Sequence, residues 1–313
     1  MSVPTSSPGA ASGQRIVVTG SSGLIGTALV EALTRAGHPV VCLVRSNPGP
    51  GRAVWDPMAG RIDASALDGA YGVVNLAGEG IADRKWTAEQ KARIRDSRVR
   101  GTALLADTLA GLTNKPAVLA SGSAIGFYGD RADEVLDETS PTGSGFLAGL
   151  VKEWEAATST AAAAGIRVAH LRTGIVLSTR GGALKQQLLP FRLGLGGRLG
   201  SGRQFLSWIA LTDEVAAIRH VLATPSLHGP VNLTTPQPVT NNQFTKALGG
   251  ALKRPTMLPI PLAPLRLRFG KEMVAEMLLA SARITPRQLL DHGFAFEHTD
   301  LAATLRCLLD THA

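Results

Sequence analysis

The segment Arg15-Ile-Val-Val-Thr-Gly-Ser-Ser-Gly-Leu-Ile-Gly26 constrains the fold more than any other part of the chain. A short β-branched apolar run ends in glycines at 20, 23 and 26. Such a continuous apolar run reads as a parallel strand buried on both faces. Leu24 to Ala36 then places apolar residues at helical spacing and closes on Gly37, which fits a helix with a C-terminal glycine. Val40 to Val44 is a second apolar strand. The whole unit has the size of a βαβ crossover, about thirty residues. In this context the three glycines differ in purpose. Gly20 makes the tight turn, Gly23 lets the backbone approach a pyrophosphate, and Gly26 lets helix and strand pack closely. The helix N-terminus adds free N–H groups and the positive end of a dipole. The plainer reading is a glycine-rich turn that serves packing only.

Strand-like runs recur at Gly72–Leu76, Ala117–Ser121 and Arg167–Leu171, with helical patterns at Thr87–Ala110 and Phe146–Ala164 between them. Thr87-Ala-Glu-Gln90 has the form of a capping box. Alternation of this kind predicts an α/β Rossmann fold, a doubly wound parallel sheet. After about residue 178 the pattern changes: Gly and Pro crowd Arg180–Gly202, a helix follows at Thr212–Ala223, and a strand lies around Val231–Leu233. The expected organisation is a disordered tail over 1–14, a dinucleotide-binding domain over 15–178, and a smaller, mainly helical substrate region over 179–313. Around 204–235 the chain is expected to return partly to the sheet.

The end of the second strand bears on which dinucleotide fits. An NAD site usually has an Asp or Glu there to hold the ribose 2′-hydroxyl. No acidic residue occurs between Ala32 and Trp55, and the strand ends Val44-Arg45-Ser46. A guanidinium pairs with a 2′-phosphate in two-point geometry, which favours NADP. Arg45 as a solvated strand-end residue is the alternative.

The net charge of +8 invites an anionic partner. The densest basic stretch, Lys91–Arg100, alternates with apolar residues as a helix over a core does, so nucleic acid is not expected as a partner. No window resembles a membrane span. With two cysteines, Cys42 and Cys307, and no signal-peptide pattern in the first fourteen residues, a reducing cytoplasm is the expected setting.

The motif Thr19-Gly-Ser-Ser-Gly-Leu-Ile-Gly26, with Asn75-Leu-Ala-Gly78 on the next strand, resembles the extended short-chain dehydrogenase/reductase superfamily, which includes nucleotide-sugar epimerases and dehydratases. Ser97-Arg98, Ser123-Ala-Ile-Gly-Phe-Tyr-Gly129, Trp154-Glu155, Leu171–Leu177, Leu189–Gly197 and Gly200–Ile209 narrow the resemblance to its atypical epimerase-like family, over residues 15–310. The resemblance implies that Ser22, Leu24 and Ile25 lie along the pyrophosphate of NADP and that Arg45 holds the 2′-phosphate. It also implies that Leu76, Ala77 and Gly78 pass beneath the adenosine, that Arg98 faces the cofactor and that Val176 approaches the nicotinamide. Glu79, beside this turn, is grouped with them; a general base and a loop-ordering residue are both open for it. A homodimer is a further implication.

Catalysis in the superfamily uses a Tyr-x-x-x-Lys pair, and this chain has none. Its tyrosines are Tyr71 and Tyr128, followed four residues later by Asn75 and Ala132. Aligned on Glu155, the Tyr and Lys positions fall on Leu147 and Val151. Lys152 is one residue, or about 100° of helix, away, and reads equally as a surface lysine. Ser123 occupies the place of the substrate-binding Ser. Tyr128 is the other candidate acid/base, or else a turn residue that walls the pocket. Arg192, Arg198 and Arg203 lie in a glycine-rich loop that suits an anion clamp or a mobile surface loop. Asp213 marks a helix start. Two functions follow as expectations: an NADP(H)-dependent oxidoreductase or epimerase acting on a small anionic substrate such as a sugar nucleotide, or a catalytically silent NADP-binding sensor.

Overall fold

The computed structural model describes residues 13–310. Its centre is an eight-stranded sheet built from β1 (Ile16–Thr19), β2 (Val40–Val44), β3 (Arg52–Asp56), β4 (Arg61–Ile62), β5 (Gly72–Asn75), β6 (Val118–Ala124), β7 (Arg167–Thr173) and β8 (Gly229–Leu233). The order is β8-β7-β6-β5-β1-β2-β3-β4, parallel except for the β3–β4 pair. β1 lies between β2 and β5, so the connections diverge there. This switch point is where open α/β sheets bind ligands, beyond the carboxyl ends of the strands.

The apolar strands sort their side chains by a period of two. Ile16, Val18, Val74, Val118, Ala120, Ala169 and Leu171 pack on one face, against Leu29 and Leu33 of α1 (Leu24–Arg35). Val17, Val73, Leu119 and Val168 pack on the other, against Leu105, Ala106 and Leu109 of α2 (Ala88–Gly111). Continuous hydrophobic runs are therefore alternating patterns with both faces covered.

Local chemistry sets the helix ends. Thr87 caps α2 by accepting from the Gln90 N–H at 3.2 Å. The helical pattern at 146–164 is two pieces, α3 (Phe146–Ala156) and a short turn at Ser159–Ala163. Between them the Thr158 hydroxyl turns inward, donating to the Glu155 carbonyl at 2.8 Å and lying 2.9 Å from His170 Nε2. The sequence pattern shows no strand at β3 or β4. β3 pairs parallel to β2 without an intervening helix, and its Trp55 packs against Gly101 of α2. The tail expected over 1–14 lies outside the described residues apart from Gly13 and Gln14. Those two meet the loop after α1: the Gly13 N–H donates to the Gly37 carbonyl, and His38 Nδ1 lies 3.1 Å from the Gln14 carbonyl.

Beyond residue 178 come α4 (Gly182–Arg192), α5 (Leu211–Ala223), α6 (Asn241–Leu252), α7 (Leu262–Phe269) and α8 (Leu301–Asp310). α5 covers the sheet beside α1 and β8 joins its edge, so this stretch of chain belongs to the central layers. The remainder is mainly helical, with short strands at its margins. Short ladders tie Phe205–Leu206 to Val239–Thr240, Trp208–Ala210 to Ile175–Leu177, and Arg283–Ile284 to Val135–Leu136. A further hydrophobic cluster joins Leu184, Leu188, Phe244, Leu248, Leu301 and Leu305. Among the described residues no helix is long and apolar enough to cross a membrane.

Two acids open α5. Asp213 is more than a dipole partner: its carboxylate accepts from the Glu297 and His298 N–H groups at 3.0 and 2.9 Å and pins the start of the final segment. Glu214 is fully buried and accepts from the Thr173 hydroxyl at 2.8 Å. Burial pushes its carboxyl up to about 8. The folded protein thus keeps this proton over a range where the unfolded chain, with an ordinary carboxyl, has lost it. Stability falls through that range as pH rises and levels off above about 8. Thermal melts at pH 5 and pH 8 check this: wild type should lose several degrees relative to Glu214→Gln, and a pH-independent difference would refute it.

Candidate functional site

The glycine loop after β1 has no room for a side chain at Gly20 or Gly26. Gly20 adopts φ +66°, and a Cβ on it would stand 2.6 Å from the Leu76 carbonyl carbon. A Cβ on Gly26 would stand 2.2 Å from the Gly20 oxygen. Gly23 is different: its Cβ would meet only the Gly20 oxygen, at 3.3 Å, and the residue lines open space. Gly23 is the N-cap of α1, with no side-chain cap and no acid in the first turn. The positive helix end is therefore left for an outside anion.

Two cavities meet at this loop, sharing Gly20, Gly23 and Leu76. The larger, about 750 Å³, is also lined by Leu24, Ile25, Gly26, Arg98, Ser123 and Val176. The smaller, about 490 Å³, is also lined by Ser22, Arg45, Ala77, Gly78 and Glu79. All the residues expected to hold the cofactor, and Ser123, thus border one or other of these two adjoining cavities, whereas Tyr128 and the three loop arginines border neither.

A buried polar chain fixes the groove's floor. Thr19 Oγ1 donates to Asn75 Oδ1 at 2.7 Å, and Asn75 Nδ2 and Trp154 Nε1 both donate to Thr102 Oγ1 at 2.9 Å. Thr19 Oγ1 accepts from the Leu76 and Ala77 N–H groups, which sets the exit of β5. Arg98 sits above, with its Nη1 donating to the Glu79 and Ile94 carbonyls at 2.8 and 3.3 Å and its guanidinium 5.1 Å from the Trp154 ring centroid. Burial brings it down to about 10, so it stays cationic at neutral pH. Its hydrogen bonds go to carbonyls rather than to a carboxylate, leaving charge for an anion in the cleft.

At the far end of the smaller cavity Arg45 is joined by Ser46, Asn47 and Arg52. Arg52 was not legible as a site residue, because the sequence shows no strand there. The pocket contains no acid apart from Glu79, whose N–H donates to Ser97 Oγ at 3.0 Å.

Ser123 ends in a different arrangement. Its hydroxyl donates to Glu155 Oε1 at 2.6 Å. Arg172 binds the same carboxylate with two points, Nε–Oε1 at 2.8 Å and Nη2–Oε2 at 2.9 Å. Although burial opposes it, the guanidinium and the Ser123 hydroxyl hold the Glu155 carboxyl below its ordinary range. Arg172 Nη1 continues to the Tyr128 hydroxyl at 3.0 Å, which donates to Asn232 Oδ1 at 2.7 Å. Tyr128 is fully buried and lies outside the cavity lining. Burial raises its phenol to about 12. This geometry corrects the expectation of an acid/base role: the hydroxyl is spent on Arg172 and Asn232. Neither Glu155 nor Arg172 was singled out for chemistry, since an isolated Trp-Glu and Leu-Arg-Thr carry no spacing signal.

Leu147 and Val151 line the larger cavity, so the places of the Tyr and Lys are apolar wall, and Lys152 is exposed. Arg192, Arg198 and Arg203 do not line it. The Arg192 carbonyl is held by Arg254, and the Arg198 guanidinium donates to Gly200 O at 2.7 Å. The expected anion clamp is therefore absent from the cavity wall. Instead Glu276, from a turn of π-helix at Val274–Leu279, reaches the start of α3. Its two oxygens accept from the Phe146 and Leu147 N–H groups at 2.9 and 2.8 Å.

A groove over the switch point, an uncapped glycine-led helix and a half-buried cation lining the same cavity define a dinucleotide-binding protein of the extended short-chain dehydrogenase type. Residues 16–233 match the NAD dependent epimerase/dehydratase family, and the chain belongs to that family. Residues 260–308 match a domain of unknown function, DUF1731. The chain is 45% identical over 291 residues to Epimerase family protein Mb2239 of Mycobacterium bovis, covering 93% of this chain and 96% of that one. The crystal structure of human epimerase family protein SDR39U1 with NADPH superposes with a TM-score of 0.86 at 35% identity, covering 95% and 99% of the two chains. A nucleoside-diphosphate sugar epimerase from Corynebacterium glutamicum gives a TM-score of 0.78 at 38% identity, over 94% of this chain and 57% of that one.

The Glu155–Arg172 pair is buried, with side chains 11% and 4% exposed. Removing one partner strands the other's charge. Arg172→Met should cost roughly 3–5 kcal/mol in urea unfolding, with part of the loss recovered in the Glu155→Gln/Arg172→Met double variant.

Proposed function

We propose that this protein binds NADP(H) in the joined cavities and acts as an oxidoreductase or epimerase at a hydroxyl-bearing carbon of a small molecule. The observation that carries this reading is the uncapped positive end of α1 lining the same cavity as the carbonyl-bound Arg98, an arrangement that suits a dianion. The α1 N–H groups and Arg98 suit the pyrophosphate. Arg45 and Arg52 suit the 2′-phosphate, and the lack of an acid at the end of β2 disfavours a bare ribose diol. The NADPH bound by human SDR39U1 supports the same assignment. When bound, the nicotinamide gives or takes a hydride.

Ser123, which lines the larger cavity, is the side chain suited to touch the substrate oxygen. Glu155 and Arg172 orient it: with its proton on Glu155, Ser123 turns acceptor capacity toward the cavity. A substrate hydroxyl donating to Ser123 completes the chain. A carboxylate held low by Arg172 is a weak proton store, so these two residues position Ser123 rather than supply a base.

A second reading, a redox sensor without turnover, has a specific observation in its favour. Leu147 and Val151 leave no phenol or ammonium in the cavity wall. Substrate screening with NADPH separates the two: tight cofactor binding with no turnover across alcohols and ketones sinks the enzyme reading.

Arg45→Ala should weaken NADPH by roughly 10–100-fold, the worth of a charge-assisted contact, and leave NADH unchanged. Arg98→Gln should weaken both cofactors alike. Fluorescence titration reads each, and equal losses of NADPH and NADH in Arg45→Ala would reject its 2′-phosphate role. Where turnover is found, Ser123→Ala should lower kcat with NADPH affinity intact.

A further inference from the structure

The larger cavity has two chemically different walls. The glycine-loop side offers N–H donors and Arg98. The opposite wall is apolar, formed by Leu147, Leu150 and Val151 of α3 with Phe205, Leu206 and Met277. Only two charged side chains border this wall, Asp130 and Glu276, and both are acids. Arg98 is the one cation in the whole lining among the described residues, and its carbonyl contacts keep it beside Glu79.

Of the four hydroxyls in the lining, Ser144 can donate to a ligand, while Thr173 gives its proton to Glu214 and the other two add acceptors rather than donors. Ser123 spends its proton on Glu155, and Ser207 donates to the Ala282 carbonyl at 2.8 Å while accepting from the Ile284 N–H at 3.0 Å. Asp130 Oδ1 accepts from the Ser281 N–H at 3.0 Å, and Glu276 accepts from the start of α3, so both carboxylates are fixed in place. An anionic group brought to this wall would meet two fixed negative charges and no cation, so the loss of its water would be poorly repaid.

We infer that the substrate is an uncharged or cationic amphiphile: an apolar body against the α3 wall and a hydroxyl or amine end that donates to Ser123 and to the carboxylates. A nucleotide-diphosphate sugar does not match this wall. This inference rests on the reading that the glycine-loop side is given to NADPH, which leaves Arg98 to the cofactor.

The test is a ladder of matched probes titrated calorimetrically into the full-length chain saturated with NADPH. Octan-1-ol, octylamine and octanoate share one chain and differ in the head; uridine diphosphate glucose is the fourth. NADPH binding is measured first and alone, so failure of the cofactor reading shows there, before any probe is added. Octan-1-ol and octylamine should bind saturably and at least ten-fold tighter than octanoate, and uridine diphosphate glucose should give no saturable signal. Octanoate or uridine diphosphate glucose binding as tightly as the other two overturns the inference. So does an absence of saturable binding by both octan-1-ol and octylamine. Two variants locate the effect. Glu276→Gln should narrow the octylamine-to-octanoate ratio while octan-1-ol is little changed. Leu147→Trp should fill the apolar wall and abolish octan-1-ol binding with NADPH affinity retained, and undiminished octan-1-ol binding there refutes the site. The wild-type ladder stands without either variant.

Discussion

The approach of Gly20 to the Leu76 backbone, and of Gly26 to the Gly20 carbonyl, is the contact on which the rest of the site depends. Neither leaves space for a methyl group. Together they bring the start of α1 down onto the ends of β1 and β5, and Thr19 then fastens the Leu76 and Ala77 amides in the same corner. The groove, its bare helix end and the level at which Arg98 crosses it all follow from this close packing. A wider separation would give the same sheet order without a cradle for phosphates.

What the chain does with that cradle is set by a second arrangement, which has moved away from the usual one. The helix that carries a phenol and an ammonium in the wider superfamily presents Leu147 and Val151 here. Polar organisation has shifted one layer outward, to the row Ser123, Glu155, Arg172, Tyr128 and Asn232. Every member of that row has a partner, so the row is rigid, and the member that borders the cavity is Ser123. The result is a cavity wall that is mostly apolar, with the ordered Ser123 hydroxyl at its edge.

The two-faced apolar strands, the glycine spacing and the basic end of β2 were legible in the sequence because each is a local pattern with a local cause. β1, α1 and β2 fall where the periodicity puts them. β3 was hidden because its Arg-Ala-Val-Trp-Asp run follows β2 without a helix, so it breaks the strand–helix alternation that marks the other strands. The break after Ala156 was hidden because alanine-rich sequence continues through it, and its marker in the structure is the long-range contact of the buried Thr158 hydroxyl with His170. Tyr128 and the three loop arginines were misplaced for a related reason. Residue type suggests chemistry, but long-range partners decide whether a hydroxyl or a guanidinium faces a cavity, and Asn232 lies 104 residues beyond Tyr128.

Glu276 gives the fold a direction in time. The carboxylate that caps α3 is 130 residues downstream of Phe146, and Met277 and Ala280, which close the same cavity, lie further still. A ribosome delivers the sheet, the glycine loop and the dry face of α3 well before it delivers the segment that covers them. Until then Leu147 and Leu150 face water, and the first turn of α3 lacks its carboxylate. The chamber is therefore completed by a segment made well after the cradle, and a nascent chain halted before that segment has the α3 side of the cavity uncovered.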